Sequence, residues 1–388
     1  MCPCTTQSVP YRHHNDRNFR YDVGFAAKPL YRTAMLRQLR RASLRLLKML
    51  GLFRAIRNSA WRERRLLILC YHGISIEDEH RWRPNLYMRP ELLEARLNIL
   101  KHGGFNVLPL GEALQRLYSR DLPPQSIAIT FDDGAYDFYK QAYPLIKTFG
   151  FPVTVYQTTY YSNFSRPLFH MICSYMLWKH SGVVSGQRSE LGVDVPTDLR
   201  TEAARRVVVE ALLSKAQKEN LNGQQKDELA RRLAKLLGID YDELLAKRIL
   251  QLMNGREMAQ LAGEGVDFQL HTHRHRTPND AASFRKEIVE NRESLQKMTG
   301  SYGVHFCYPS GVYKAPFLGW LEKENVISAT TCDPGLATSA THRLLLPRFV
   351  DTSSCSALDF ESWAVGIRDL MPRRKVWRKN VSGVANSL

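Results

Sequence analysis

An apolar run, Ser126-Ile127-Ala128-Ile129-Thr130-Phe131, stops abruptly at Asp132-Asp133-Gly134. A run of this kind closed by a glycine turn reads as a short buried strand. Two neighbouring carboxylates at a strand end repel each other and lose solvation, and they persist where a metal or a proton takes up the charge. The alternative is an Asp-Asp-Gly turn with both acids in water. A second cluster weighs against that alternative. The apolar run Val266-Asp267-Phe268-Gln269-Leu270 ends in His271-Thr272-His273-Arg274-His275. One carboxylate with two neutral imidazoles is a sound ligand set for zinc, with a water in the open position. Strand alternation points His273 away from its neighbours.

Around these two stops the chain repeats one rhythm. Residues 66–70 read as a first buried strand ending in Tyr71-His72-Gly73. Helices are predicted over 90–103, 110–119 and 137–149, and a strand over 152–158. Strand alternating with helix indicates α/β architecture with parallel strands. Residues 160–255 interrupt the pattern with helices over 201–217, 224–237 and 241–252, a helical insertion in one barrel loop. The alternation resumes with helices over 255–262 and 280–298 and strands over 304–308, 326–331 and 344–350. Seven or so strands result, and the predicted layout has three parts. Residues 1–60 are a basic arm with an amphipathic helix, 64–355 are the barrel, and 356–388 are a C-terminal helix and basic tail.

Composition bounds the partners. Of 388 residues 44% are hydrophobic and 10% aromatic, enough for a sizeable core. No apolar run reaches the roughly 18 residues of a membrane-spanning helix. Met1-Cys2-Pro3-Cys4 leads into polar sequence without the apolar region of a signal peptide, so a cytoplasmic protein is expected. Seven scattered cysteines argue against a disulfide framework, and Cys2-Pro3-Cys4 lacks partner ligands. The net charge of +17 is uneven: residues 1–65 hold fifteen Lys or Arg against Asp16, Asp22 and Glu63. A helix over 33–57 carries Leu36, Leu39, Leu46, Leu47, Leu50 and Phe53 at helical spacing, with Arg37, Arg41, Arg45 and Lys48 on another face. Such a helix can lie on an anionic membrane surface, at the inner face for a cytoplasmic protein, or pack on the barrel with its basic face in water. Nucleic acid is suggested by charge alone. No reader motif supports it, and the basic arm accounts for the charge.

His72, Asp132, Asp133, His271, His275, Tyr308 and Arg348 each fall at, or just past, the carboxyl end of a predicted strand. A parallel barrel opens all those ends on one face, where an active site is assembled. The motifs resemble those of polysaccharide deacetylases with a NodB-type domain (carbohydrate esterase family four), of the exopolysaccharide type. The family's first motif, TFDDG, stands intact at 130–134; the second, His-Ser/Thr-x-x-His, matches 271–275; the third, a Pro-x-Gly turn after a strand, matches Tyr308-Pro309-Ser310-Gly311. The resemblance covers roughly 64–355 outside the insertion.

It implies a distorted (β/α)7-type barrel and metal-dependent hydrolysis of N-acetyl groups on the amino sugars of a glycan. It implies that Asp133, His271 and His275 hold a divalent metal, most often zinc, that Asp132 is the general base, and that Tyr308, Pro309, Ser310 and Gly311 bind substrate. Two positions depart from the pattern. Cys307 stands where the third motif usually begins with an arginine; Arg348, from the last strand, is expected to supply that guanidinium or else to form a structural salt bridge. The family's C-terminal histidine is missing. A closed barrel places its first strand beside its last, so His72 is expected to serve as the general acid, as in the poly-N-acetylglucosamine deacetylases, or to be a structural hydrogen-bonding histidine. An O-acetyl esterase and a catalytically silent glycan-binding protein remain as alternatives. Oligomeric state is not legible.

Overall fold

The structure is a computed structural model that describes residues 30–184 and 188–371. Ten strands are present among these residues. They are β1 (Leu67–Tyr71), β2 (Gly73–Ile74), β3 (Tyr87–Met88), β4 (Asn106–Val107), β5 (Ser126–Phe131), β6 (Thr154–Gln157), β7 (Asp267–Leu270), β8 (His305–Cys307), β9 (Ser328–Thr330) and β10 (Phe349–Val350). The main sheet runs β10-β1-β5-β6-β7-β8-β9, with β4 beside the first half of β5. Every pair is parallel. Its edges curl toward each other: Thr330 bridges Leu346, and the Leu346 N–H donates to the Ala329 carbonyl at 2.9 Å. The expected seven-strand distorted barrel is therefore present as a curled parallel sheet. The two-stranded β2-β3 pair lies outside the expected set, because two-residue strands carry no period.

The strands are apolar throughout because both faces are covered. Leu67, Leu69 and Tyr71 of β1 pack with Ile127, Ile129 and Phe131 of β5 and with the helical layer, including Leu93, Leu97, Phe284 and Ile288. The alternate residues Ile68 and Ala128 join Tyr156, Cys307 and Leu346 in a separate cluster closed by Leu110, Leu114 and Leu117. Continued two residues at a time, that second row ends in Cys70 and His72 on β1 and in Thr130 and Asp132 on β5. Pleat alternation thus carries the interior row directly into the site.

Several helices have local causes. Pro90 starts Pro90–His102, and Asn254 with Glu257 forms a capping box on Gly255–Gly263. The Asp280 side chain accepts from the Ser283 N–H to start Ala281–Thr299. The segment predicted as a helix over 137–149 opens with a wide turn, Phe138–Ala142, before Tyr143–Phe149.

The insertion holds Phe169–His180, Glu202–Lys218, Gly223–Leu237 and Tyr241–Ala246 around its own core of Ile172, Tyr175, Val208, Leu212, Leu233 and Leu237. Phe169–His180 escapes sequence reading because it is apolar on every side and shows no period. The helix predicted over 241–252 stops at Ala246 instead. Arg248 and Leu250 adopt left-handed backbone, and the chain returns extended against the Asp-Asp-Gly turn. There the Met253 N–H donates to Gly134 O (3.0 Å) and the Tyr136 N–H to Gln251 O (2.9 Å). Tertiary pairing overrides helical propensity at this place.

The chain divides after Ser43 into two units. The predicted helix over 33–57 is two helices, Leu30–Met49 and Leu52–Arg57, separated by Gly51 at φ 74°. Within the larger unit Leu44 is buried, while Leu46, Met49 and Leu50 are exposed. No helix among the described residues is long and apolar enough to cross a membrane. At the other end Ala357–Ala364 and Ile367–Leu370 follow the barrel. Residues 1–29, with Cys2-Pro3-Cys4, and the predicted basic tail past 371 lie outside the described residues.

Candidate active site

At the end of β5 the Asp132 N–H continues the ladder by donating to Tyr71 O at 2.9 Å. Asp133 and Gly134 then both turn left-handed, at φ 71° and 76°. Asp tolerates that conformation better than most side chains. At Gly134 any Cβ would lie 1.9 Å from the Gln157 side chain, so the turn requires glycine. The double turn separates two adjacent carboxylates and gives them different partners.

Asp133 meets the histidines. Its Oδ1 lies 3.2 Å from His271 Nε2 and 3.1 Å from His275 Nε2. His271 is buried; its N–H donates to Asn291 Oδ1 (2.9 Å), and its Nδ1 is 2.8 Å from the Cys307 carbonyl. Only an Nδ1–H can bond a carbonyl, so in the neutral imidazole Nε2 presents its lone pair toward Asp133. Thr272 and His275 take left-handed backbone, which folds the loop back to bring His275 in. These three donors suit a metal. Bonds of about 2.0 Å at tetrahedral angles place donor atoms about 3.3 Å apart, close to the spacings here, and an outer carbonyl fixes the histidine as zinc sites require. The field agrees. Burial alone would lower the His271 pKa, but Asp133 and Asp132 outweigh it and raise it. Burial would raise Asp133, and His275 with His271 hold it well below the usual carboxylate range.

Asp132 meets Arg348. Their side chains are buried and paired twice, Nη1 to Oδ1 at 2.7 Å and Nη2 to Oδ2 at 2.8 Å. Arg348 also donates through Nε to Thr331 O (2.9 Å) and contacts Cys307 Sγ at 3.0 Å. The guanidinium thus reaches the place at which the third motif lacks its arginine. Burial would raise the Asp132 pKa; Arg348 outweighs it and holds the carboxyl far below its ordinary value. Thiols of Cys70 and Cys307 lie 3.5 and 3.4 Å from Asp132 Oδ2.

His72, at the end of β1, places Nε2 3.8 Å from Asp132 Oδ2 and keeps part of its ring exposed. The strand adjacency behind that expectation is present, since β1 pairs β10 through Leu69–Phe349 and Cys70–Val350. His273 stands outside the donor set, its Nδ1 2.8 Å from Thr159 Oγ1. The third motif is buried at two of its positions. Tyr308 is fully buried and its hydroxyl donates to Leu344 O (3.1 Å); Pro309 is buried as well. Tyr308, one residue past β8, packs into the cluster shared with the helical layer, on the opposite side from Cys307. Ser310, left-handed at φ 55°, is exposed, and Gly311 is partly so.

Other residues at the site carry no motif signal. Asn291, on the helix after the histidine loop, also holds Gln157 O and Thr159 Oγ1. Asp137 accepts from the Ile74 N–H at 3.0 Å and so ties the β5 loop to the segment just past His72. His170 comes from the insertion. Burial first, then the nearby charges of Arg83 and His275, push its pKa down to about 4. A polar residue on an apolar helix and a carboxylate one turn past a motif are recognisable only once packed.

Residues 119–173 and 246–325 match the family model described as polysaccharide deacetylase. The Bacillus subtilis (strain 168) protein YxkH, named for the polysaccharide deacetylases, is 33% identical over 103 residues, covering 25% of this chain and 35% of its own length. The chain therefore spans about a third of the curated relative it matches. Among solved structures, the Streptococcus pyogenes deacetylase PplD in complex with acetate is similar at a TM-score of 0.51 and 19% identity, over 79% of this chain and 99% of that one. At that identity the likeness is one of fold.

Proposed function

We infer that this chain, whose barrel belongs to the polysaccharide deacetylase family, is a metal-dependent hydrolase that removes N-acetyl groups from the amino sugars of a glycan. One observation carries the reading: adjacent carboxylates are divided between two tasks. Asp133 shares its Oδ1 with two imidazole Nε2 atoms, while Asp132 is turned away into Arg348. A structural Asp-Asp turn would have no reason to separate them.

Asp133, His271 and His275 would hold the cation, and zinc suits their chemistry best. A divalent cation bound there supplies Lewis-acid polarisation of the acetyl carbonyl and lowers the pKa of a coordinated water. Asp132 accepts the proton of the attacking water. Arg348 keeps that carboxylate ionised and fixes both its oxygens, leaving orientation as its main contribution. His72, 3.8 Å from Asp132 and open to the cleft, donates a proton to the departing amine. Ser310 and Gly311 form the substrate-facing part of the third motif. His170 of the insertion lies close enough to His275 for their charges to interact. At the amino-terminal end, exposed Leu46, Met49 and Leu50 beside Arg45 and Arg54 support peripheral contact with an anionic membrane.

The test is acetate release from matched N-acetylated and O-acetylated oligosaccharides, before and after chelation and zinc return. Release from the N-acetylated set that chelation stops and zinc restores is the expected result. Release from the O-acetylated set alone would make the protein an esterase. No release from either would leave a glycan-binding protein.

A further inference from the structure

The insertion contains a groove that the chemistry above does not use. Its cavity is about 170 Å³, and its lining includes Tyr160, Tyr161, Phe164 and Phe169 together with Lys226 and Asp227. Tyr160 and Phe164 are 36% and 46% exposed, among the most exposed aromatic side chains described. Aromatic rings of this size are normally buried, and a set left open beside charged groups marks a binding surface.

The groove adjoins the metal-ligand loop. The Tyr160 N–H donates to His273 O at 2.8 Å, and its ring meets the His273 ring edge-on with centroids 5.5 Å apart. The Arg274 guanidinium lies over the same ring, 5.2 Å from its centroid. Phe169, in the lining, is the immediate neighbour of His170, which stands near His275. Lys226 and Asp227 belong to 174–245, between the two segments that match the family model.

We propose that this groove is a sugar-binding subsite, holding a pyranose unit of the glycan beyond the unit that carries the scissile acetyl group. The proposal rests on the deacetylase reading for its substrate class. A pyranose ring has apolar C–H faces and a polar hydroxyl edge. The exposed parts of Phe164 and Tyr160 suit the first, and a cation with a carboxylate suits the second, which is the common pattern of a site with few placed polar groups on apolar walls. An acyl chain would find Lys226 and Asp227 unfavourable, and a strongly anionic ligand would find Asp227 so.

The experiment is calorimetric titration of full-length Asp132→Asn protein with β-1,4- and β-1,6-linked N-acetylglucosamine oligomers, from monomer to hexamer. Asp132→Asn prevents turnover. Affinity is expected to rise with length in at least one linkage series. Phe164→Ala or Tyr161→Ala, each checked for an unchanged melting temperature, should weaken the longest oligomers about fivefold or more and leave the monomer unaffected, as loss of one aromatic partner implies. Equal weakening at every length, no weakening by either variant, or no binding of any oligomer would overturn the subsite. So would preferential binding of an apolar dye in the groove. Because binding is read without turnover, a protein that binds oligomers this way but releases no acetate would contradict the deacetylase reading and leave the subsite standing.

Discussion

At the scale of single residues, the decisive contact joins Arg348 to Asp132. Removing one member of a buried pair leaves an uncompensated charge, which costs about 3–5 kcal/mol. Arg348→Met should therefore lower stability by that order in urea titration and lower kcat by roughly a hundredfold or more, as a misoriented base implies. Cys307 stands where the motif resemblance leads one to expect an arginine, and its Sγ lies 3.0 Å from Arg348 Nη2. Cys307→Arg added to Arg348→Met should restore much of both losses, because the new guanidinium starts beside the same carboxylate. Unchanged turnover in Arg348→Met would reduce the pair to a structural one. Asp137 gives a test by pH. Burial, followed by Glu79 and Asp133, raises its pKa well above the ordinary value. A carboxyl raised in the folded state favours folding while protonated, below its unfolded pKa of about 3.9, and that contribution is lost as pH rises through the folded pKa. Asn keeps an acceptor for the Ile74 N–H and cannot ionise. The melting temperature of Asp137→Asn should match the parent near pH 4 and exceed it progressively as pH rises; parallel curves would contradict this.

At the scale of elements, what was legible follows from what repeats. Strand runs that end in chemistry-bearing turns exposed Asp132, Asp133, His271 and His275 directly, since parallel strands deliver their carboxyl ends to one face. His72 and Arg348 were legible through strand adjacency, and β1 does lie beside β10. A motif position does not say which way a side chain points, and Tyr308 fills the core. Asn291, Asp137 and His170 had no pattern to reveal them, being fixed by packing between separate elements. The helix over 33–57 was one element by period and is two by Gly51, whose left-handed turn leaves Leu46, Met49 and Leu50 on one exposed corner. Those apolar side chains beside Arg45 and Arg54 should drive adsorption to vesicles containing anionic lipid. Replacing Leu46, Met49 and Leu50 by Glu should abolish co-flotation with phosphatidylglycerol vesicles while leaving turnover of a soluble oligosaccharide intact. Persistent flotation would exclude this corner as the contact.

At the scale of the whole molecule, a curled parallel sheet presents one row of interior residues to a single opening, and an inserted helical body with its own core stands beside it. The insertion returns along the Asp-Asp-Gly turn through Met253–Gly134 and Tyr136–Gln251 hydrogen bonds, so its folding is tied to the turn that carries Asp132 and Asp133. His72→Ala should lower kcat by about a hundredfold or more and leave metal content unchanged, since His72 faces Asp132 and not the three donors. The measurement that tests the central claim most directly is metal content and acetate release determined together on the parent protein and on His275→Ala. The account predicts one equivalent of divalent metal per parent chain, chelator-sensitive release that zinc restores, and loss of both metal and release in His275→Ala. Full acetate release by metal-stripped protein, or a full equivalent of metal retained by His275→Ala, would contradict it.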